Sequence, residues 1–274
     1  LKKLTKSIIQ GILKTRKPNS HKGDYGHALI VAGSKNKMGA AIIASKACMR
    51  AGVGMLSVNI PENERTVMQV NIPEAMTLFR DEIKKDTLNY SAIAIGPGIG
   101  TNKIEVNILK HIITAYSKPI LLDADALNII AKNNELINKL PKESIITPHP
   151  KEFDRLFGIH ENDHERMLSA VSNAKKYNIV IVLKGHRTLI TFNGNSFINT
   201  NGNAGLAKAG SGDVLTGIIS AFLAQGYSPL NAALLGVYLH GLAANITLKT
   251  QSMESMLITD VIDNLGKAFY LLRK

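Results

Sequence analysis

The feature that most constrains this chain is an order of segments repeated along its first two thirds: a short apolar run, a longer stretch of helical period, then another short run. His27–Ala32, Met55–Ile60, Ser91–Ile95, Pro119–Asp123, Ser144–Thr147 and Ile179–Leu183 are such runs. They are apolar on both faces, which predicts strands covered by helices on either side. Gly39–Arg50, Lys103–Tyr116, Ala126–Asn133 and Asp163–Tyr177 carry the intervening helical pattern. Parallel neighbours need a crossover, so the alternation predicts a three-layer α/β fold, a mostly parallel central sheet with helices on both faces. At 274 residues, with no Gly/Ser linker, low-complexity tract or internal repeat, a single domain over 1–274 is expected.

The pattern changes after Lys184. Thr188–Phe192 and Ser196–Asn199, joined through Asn193-Gly194-Asn195, predict a β-hairpin, because an Asn-Gly pair supplies the positive φ angles of a tight turn. Helices are expected over Asp213–Gln225, from near Ser228-Pro229, and from near Thr259-Asp260.

With 45% hydrophobic residues in regular short blocks, a disordered chain is excluded. The lone Cys48 excludes an intrachain disulfide framework. No stretch approaches the roughly 18 uninterrupted apolar residues of a membrane helix, and no signal peptide follows the basic start, so a cytoplasmic protein without a membrane partner is expected. The net charge is +12, and Lys2, Lys3, Lys6, Lys14, Arg16, Lys17 and Lys22 all precede Asp24, the first acid. This basic segment, 1–22, contains a helix-like stretch over Leu4–Leu13. A solvated face or an oligomer contact is the preferred reading; nucleic acid is disfavoured because no aromatic residue is interleaved to stack on bases.

Chemistry collects at the carboxyl ends of the expected strands. Asn201 to Gly217 is rich in glycine and leads into an apolar helix, with Gly210, Ser211, Gly212 and Asp213 at its start. Backbone N–H groups converging at a helix N-terminus form an anion hole, although an ordinary helix cap has the same composition. A carboxylate beside a phosphate is repelled unless it has a task, and orienting a substrate hydroxyl towards a γ-phosphate is such a task. Gly96-Pro97-Gly98-Ile99-Gly100 lacks the third glycine of a dinucleotide fingerprint, yet its backbone can approach a ligand closely. Asp123 and Asp125 fall at the edge where open α/β sheets bind ligands, with helix capping accounting for one of them. His149, braced between Pro148 and Pro150, is a candidate for substrate contact.

The Gly-Ser-Gly-Asp turn resembles the anion hole and catalytic Asp of the ribokinase-like superfamily. Thr147 to Glu152 resembles its Asn-x-x-Glu magnesium motif, with His149 in place of Asn. Ser20 to Gly26, Met38-Gly39-Ala40-Ala41, Arg50 to Gly54, Gly96 to Gly100, Asp123 to Asn128, Thr147–Phe153, Leu183-Lys184-Gly185 and Tyr238-Leu239-His240-Gly241 together look like the ADP- or ATP-dependent NAD(P)H-hydrate dehydratases. The blocks fall in that family's order across about residues 20–241.

The resemblance implies a ribokinase-like fold and repair of nicotinamide cofactors. The S epimer of NAD(P)H hydrate would be phosphorylated on its ring hydroxyl by ADP or ATP with Mg2+, and loss of phosphate would restore NAD(P)H. Asp213 would accept or orient the hydroxyl proton, kept ionised by the helix N-terminus and so positioning more than basic. The N–H groups around Gly210, Ser211 and Gly212 would stabilise the transferring phosphoryl group. Ala40, Ala41, Gly100, His149 and Asp213 would contact the hydrate; Lys184, Gly185, His186, Arg187, Thr188 and Gly212 would contact the nucleotide. Glu152 would act through magnesium or its waters, and Asn128 and Asn203 are either pocket residues or helix-cap or turn residues. A homo-oligomer, a tetramer among its forms, is implied, with Asn231–Leu248 as either an interface or a core helix. With about twenty residues ahead of the matching region, a separate hydrate epimerase is expected to work beside this enzyme. The alternative is a ribokinase-like small-molecule kinase acting on a hydroxyethylthiazole or hydroxymethylpyrimidine type of alcohol.

Overall fold

The computed structural model describes residues 1–83 and 87–274. Its strands are β1 (Lys2–Lys3), β2 (His27–Val31), β3 (Met55–Ile60), β4 (Met76–Phe79), β5 (Ala92–Ile95), β6 (Ile120–Leu122), β7 (Ile145–Ile146), β8 (Val180–Leu183), β9 (Thr188–Phe192) and β10 (Asn195–Asn199). They form one sheet in the order β1-β10-β9-β8-β7-β6-β5-β2-β3-β4. Every neighbouring pair is parallel except those made by β9, which runs against both β8 and β10. The hairpin is closed by Asn193 and Gly194 at φ 45 and 81, the tight turn that the Asn-Gly pair predicts.

The helices are α1 (Lys6–Ile12), α2 (Met38–Arg50), α3 (Arg65–Asn71), α4 (Lys103–Ala115), α5 (Asp125–Lys132), α6 (Pro150–Phe157), α7 (Asp163–Tyr177), α8 (Ser211–Ala224), α9 (Pro229–Thr247), α10 (Ile258–Asp263) and α11 (Leu265–Arg273). Alternate strand residues feed two cores. Ala28, Ile30, Leu121 and Val182 pack on the side of α2, α8 and α9, whereas Leu29, Val31, Leu122 and Ile181 pack on the side of α4, α5 and α7. This is the three-layer arrangement that apolarity on both strand faces requires.

Two features position the site. Helices α2 and α8 lie in close contact because residue 217 is glycine; a Cβ there would fall 2.8 Å from the Ala47 Cβ and overlap the Ala44 carbonyl. Helix α9, opened by Pro229 with Ser228 accepting from the Asn231 amide, is a core helix. It is long and apolar enough to cross a membrane by length and composition, an exception to the sequence expectation, yet 72% of its apolar window is buried inside the fold. The interface alternative for Asn231–Leu248 therefore gives way to the core alternative.

Besides α6, three elements escaped the sequence reading. The edge strand β4 is exposed or half-buried throughout and has no continuous apolar run, while α3 is short and largely polar. The two-residue β1 joins the basic segment to the sheet, pairing parallel with β10. The helix-like stretch Leu4–Leu13 is found as α1, capped by Thr5, with Ile9 fully buried.

Candidate active site

The carboxyl edge of the sheet gathers most of the residues singled out above. At its centre the Lys184 Nζ lies 2.8 Å from the Asp123 Oδ1 and 3.9 Å from the Glu152 Oε2. The Thr216 hydroxyl, one turn into α8, donates to the Asp123 Oδ2 at 2.8 Å. Asp123 is 1% exposed, so both its oxygens are committed and a buried carboxylate lies under the first turn of α8. The Lys184 amide donates to the Pro148 carbonyl at 2.9 Å, bringing β8 against the turn that carries His149. Burial alone would lower the Lys184 ammonium, but Asp123 and Glu152 outweigh it and hold it above its ordinary value.

Above this pair sits the glycine turn. Gly210 is the N-cap of α8 with φ 92, in the left-handed region that glycine tolerates, and provides no side-chain cap. The first helical bond runs from the Val214 amide to the Gly210 carbonyl at 3.0 Å, and the Ser211 amide donates to Lys208 at 3.3 Å. Among the described residues, the amides of Gly210, Gly212 and Asp213 therefore remain as donors with no backbone partner at this turn. A Cβ on Gly212 would lie 3.3 Å from the Lys184 Nζ, so lysine and hole share one space.

Asp213 departs from the expectation that the helix end keeps it ionised. Burial and the nearby Asp123 carboxylate push its carboxyl from 3.8 up to about 7, against the opposing pull of Lys184. Among the described residues, none hydrogen-bonds to its side chain. It is thus better suited to accept a proton near neutral pH than a freely ionised aspartate is.

His149 caps α6, a helix that the sequence reading placed only as a strand end. Its Nδ1 accepts from the amides of Lys151 and Glu152 at 3.1 and 3.3 Å, and its own amide donates to the Glu152 Oε2 at 2.9 Å. The proton therefore sits on Nε2, which lies 3.4 Å from the Glu152 Oε1. Burial lowers the imidazole below its ordinary value, so the ring is neutral at pH 7. The ring is about half exposed.

The Asp123–Asp125 turn and the Gly96–Gly100 turn interlock. Gly96 at φ 139 lies against the Asp123 carbonyl, which a Cβ would overlap. The Gly100 amide donates to the Asp125 Oδ2 at 2.9 Å, and the Lys37 Nζ is 3.9 Å from the same oxygen. Neither aspartate side chain caps α5; the N-cap is Ala124, at φ 47 and ψ −117, a strained non-glycine backbone. Ala40 borders this turn, 3.0 Å from where a Gly98 Cβ would be, but Ala41 is fully buried and belongs to the core. Of that pair only Ala40 is placed to meet a ligand.

The loop 184–188 divides in two. Lys184 turns inward to the carboxylates, whereas Gly185, His186 and Arg187 are exposed and the Thr188 hydroxyl closes back on the Gly185 carbonyl at 3.2 Å. Arg187 borders a hollow of about 330 Å³ together with Met167, Ile198 and Thr200. Asn203 caps the short turn 204–206, whereas Asn128 lies within α5 and neither caps it nor forms a turn. Asn203 accepts from the Gly205 amide at 2.9 Å and Asn128 accepts from Arg155 at 2.9 Å. His240, in α9, is buried and held neutral, with burial and the nearby Lys184 lowering it to about 4.

Arg80 was not legible in the sequence. Its guanidinium donates to the carbonyls of Asn59, Ala32 and Gly33 and to the Asn59 Oδ1, at 2.5 to 3.0 Å. Burial lowers it to about 10, with Glu105 pulling the other way. The Gly33 amide in turn donates to the Pro97 carbonyl at 2.8 Å and the Ser34 hydroxyl to the Gly98 carbonyl at 2.8 Å. Arg80 thus supports the Gly96–Gly100 turn from behind.

Among the described residues no group of three or more His, Cys, Asp or Glu could hold a metal ion. With the Asp123 oxygens committed, Glu152 is the carboxylate at hand. One carboxylate fits magnesium carried in on phosphates and water rather than a resident ion in a protein cage.

Comparison with known proteins adds four findings. A family profile described as NAD(P)H-hydrate dehydratase matches residues 28–267. The ADP-dependent (S)-NAD(P)H-hydrate dehydratase of Bacillus subtilis is 37% identical over 276 residues, covering 97% of this chain and 98% of that protein. A bifunctional NAD(P)H-hydrate repair enzyme of Moorella thermoacetica is 34% identical over 98% of this chain, which spans only 53% of that relative's length. A crystal structure of the Bacillus subtilis ADP/ATP-dependent NAD(P)H-hydrate dehydratase, co-crystallised with ATP and Mg2+, superposes with a TM-score of 0.89 at 35% identity, covering 99% and 98% of the two chains.

Proposed function

From the premise that this chain belongs to the NAD(P)H-hydrate dehydratase family, we propose that it restores NAD(P)H from the S epimer of its hydrate, with ADP or ATP as phosphoryl donor and Mg2+. The observation that carries this reading is Asp213, near pH 7 in its proton affinity and unbonded, beside the free amides of Gly210, Gly212 and its own residue at the N-terminus of α8. The Asp213 carboxylate takes the proton of the ring hydroxyl as that oxygen bonds to the terminal phosphorus of the nucleotide and the shortened nucleotide leaves. The C–O bond of the resulting phosphate ester then breaks with loss of a proton from the adjacent ring carbon, releasing phosphate and re-forming the ring double bond.

The Gly212 and Asp213 amides face the transferring group and stabilise its charge. Ala40, Gly100 and the His149 Nε2 line the hydrate side; Lys184 at the centre and the exposed 185–188 loop line the nucleotide side. Bound with the nucleotide, Mg2+ neutralises phosphate charge, and Glu152 is the residue that would hold it through water. A homo-oligomer and a partner hydrate epimerase stay part of the proposal.

Chemically hydrated NADH incubated with this protein, Mg2+ and ADP or ATP is expected to regain absorbance at the reduced-nicotinamide band. Asp213→Ala should abolish the recovery while the melting curve stays cooperative. No recovery by the native chain with either nucleotide would falsify the reading, and release of a stable phosphorylated alcohol would favour the kinase alternative.

A further inference from the structure

The basic segment that the repair reaction leaves unused builds a cavity of its own at the opposite edge of the sheet. It measures about 370 Å³, and its walls include Lys14, Arg16, Lys17, Ser20, Tyr25 and Tyr227, with Asp24 as the single acid among the described residues. The cations are held in place by neutral groups. The Lys14 Nζ sits 4.6 Å above the Tyr227 ring and donates to the Gly226 carbonyl at 3.3 Å, while its amide donates to the Tyr227 hydroxyl at 2.9 Å. The Arg16 guanidinium stacks 3.7 Å from the Tyr25 ring centre and donates to the Gly52 carbonyl. The turn carrying Lys17 is closed by the Ser20 hydroxyl on the Lys17 carbonyl at 2.7 Å. Asp24 is occupied locally, its Oδ2 accepting from the His21 amide at 2.9 Å.

We infer that this cavity is a second anion site, for a small ligand bearing a phosphate. Rings and carbonyls fix Lys14 and Arg16 without neutralising them, so the cavity keeps an excess of two positive charges and spare N–H donors. A carboxylate needs one such cation; three cations against one acid match a dianion or a diphosphate, and the arginine fork suits phosphate oxygens. A polynucleotide fits poorly, since Lys14 already covers a face of the Tyr227 ring and Arg16 a face of the Tyr25 ring. The site is not an extension of the cleft. Gln225, in its wall, ends α8, whose 14 residues begin at the anion hole, which separates the two by about 20 Å. The carbonyls at that end of α8 repel an anion, and Lys14 on Gly226 offsets them.

The test is equilibrium dialysis of labelled inorganic phosphate against the full chain, with a non-hydrolysable ATP analogue saturating the cleft. One phosphate per chain is expected to remain bound, with the same affinity in Asp213→Ala. The paired Lys14→Ala and Lys17→Ala changes should weaken it about tenfold or more, two exposed cations at up to about 1 kcal/mol each, without altering hydrate recovery or the melting curve. Labelled ADP alone distinguishes the sources: two per chain identifies a nucleotide phosphate, one identifies free phosphate. No phosphate retained beside the analogue together with only one ADP bound per chain, or retention indifferent to the Lys14 and Lys17 changes, overturns the inference. The inference stands or falls independently of the repair activity.

Discussion

The two edges of the sheet handle charge in opposite ways. At the carboxyl edge the buried Asp123 and Glu152 and the half-buried Lys184 and Asp213 stand together, each perturbing the next, and Asp123 is bonded on both oxygens. At the amino edge Lys14 and Arg16 rest on tyrosine rings and backbone carbonyls, with their charge facing water. Charges that compensate one another inside a protein cannot be removed singly without exposing a partner, whereas cations on neutral supports can. The first arrangement stores proton affinity where a reaction needs it; the second presents charge to whatever arrives.

The sharpest way to break the contrast is Asp213→Ala, expected to lower kcat for hydrate recovery by about 10² to 10⁴, the range for losing a general base. For native protein, kcat/KM should rise with pH up to about 7 and then level, as the free-enzyme carboxyl ionises. Stability has the opposite sign. A carboxyl raised from 3.8 to about 7 binds more protons folded than unfolded, so the fold loses stability as pH rises through that window. Asp213→Asn should therefore melt higher than native protein at pH 8 and no higher at pH 4; a lower melting point at pH 8 would refute the burial argument.

Next in size is Lys184→Met, which leaves Asp123 buried and unpaired. Urea unfolding should show a loss of about 3 kcal/mol, the lower end for breaking a buried pair because the lysine is 21% exposed. Arg80→Met should cost about 2 kcal/mol for its carbonyl bonds and raise KM for the hydrate while leaving KM for the nucleotide unchanged. Equal changes in both constants would mean that Arg80 supports the fold in general rather than the Gly96–Gly100 turn. Smallest is Lys17→Ala, expected within about 0.5 kcal/mol of native stability; a larger loss would show that the amino edge is as interlocked as the carboxyl edge.

Much of this was legible in the chain before any coordinates. The inner strands are apolar on both faces, a pattern that admits one architecture, and Asn193-Gly194 dictates its own turn. The Gly-Ser-Gly-Asp run placed the anion hole because glycine and acid are local signals. What escaped depends on distance. Lys184 finds Asp123 across 61 residues, and Arg80 reaches carbonyls 21 to 48 positions earlier, so no spacing rule ties either to its partner. The Asp213 carboxyl carries a local signal for a helix end, which favours ionisation, and only the packed structure shows that burial overrides it. His149 was noticed for its prolines, yet its ring caps the helix that the second proline opens. β4 was missed because an edge strand has only one neighbour to satisfy and tolerates polar positions.

The reversal of β9 has a practical consequence for engineering. Because β9 runs from the carboxyl edge to the amino edge before β10 returns, the Asn193-Gly194 tip lies a full strand, about 17 Å, from the reacting groups. A reporter domain or affinity handle spliced into that tip would leave the chain's chemistry untouched, provided that its ends close the hairpin as tightly as two residues now do.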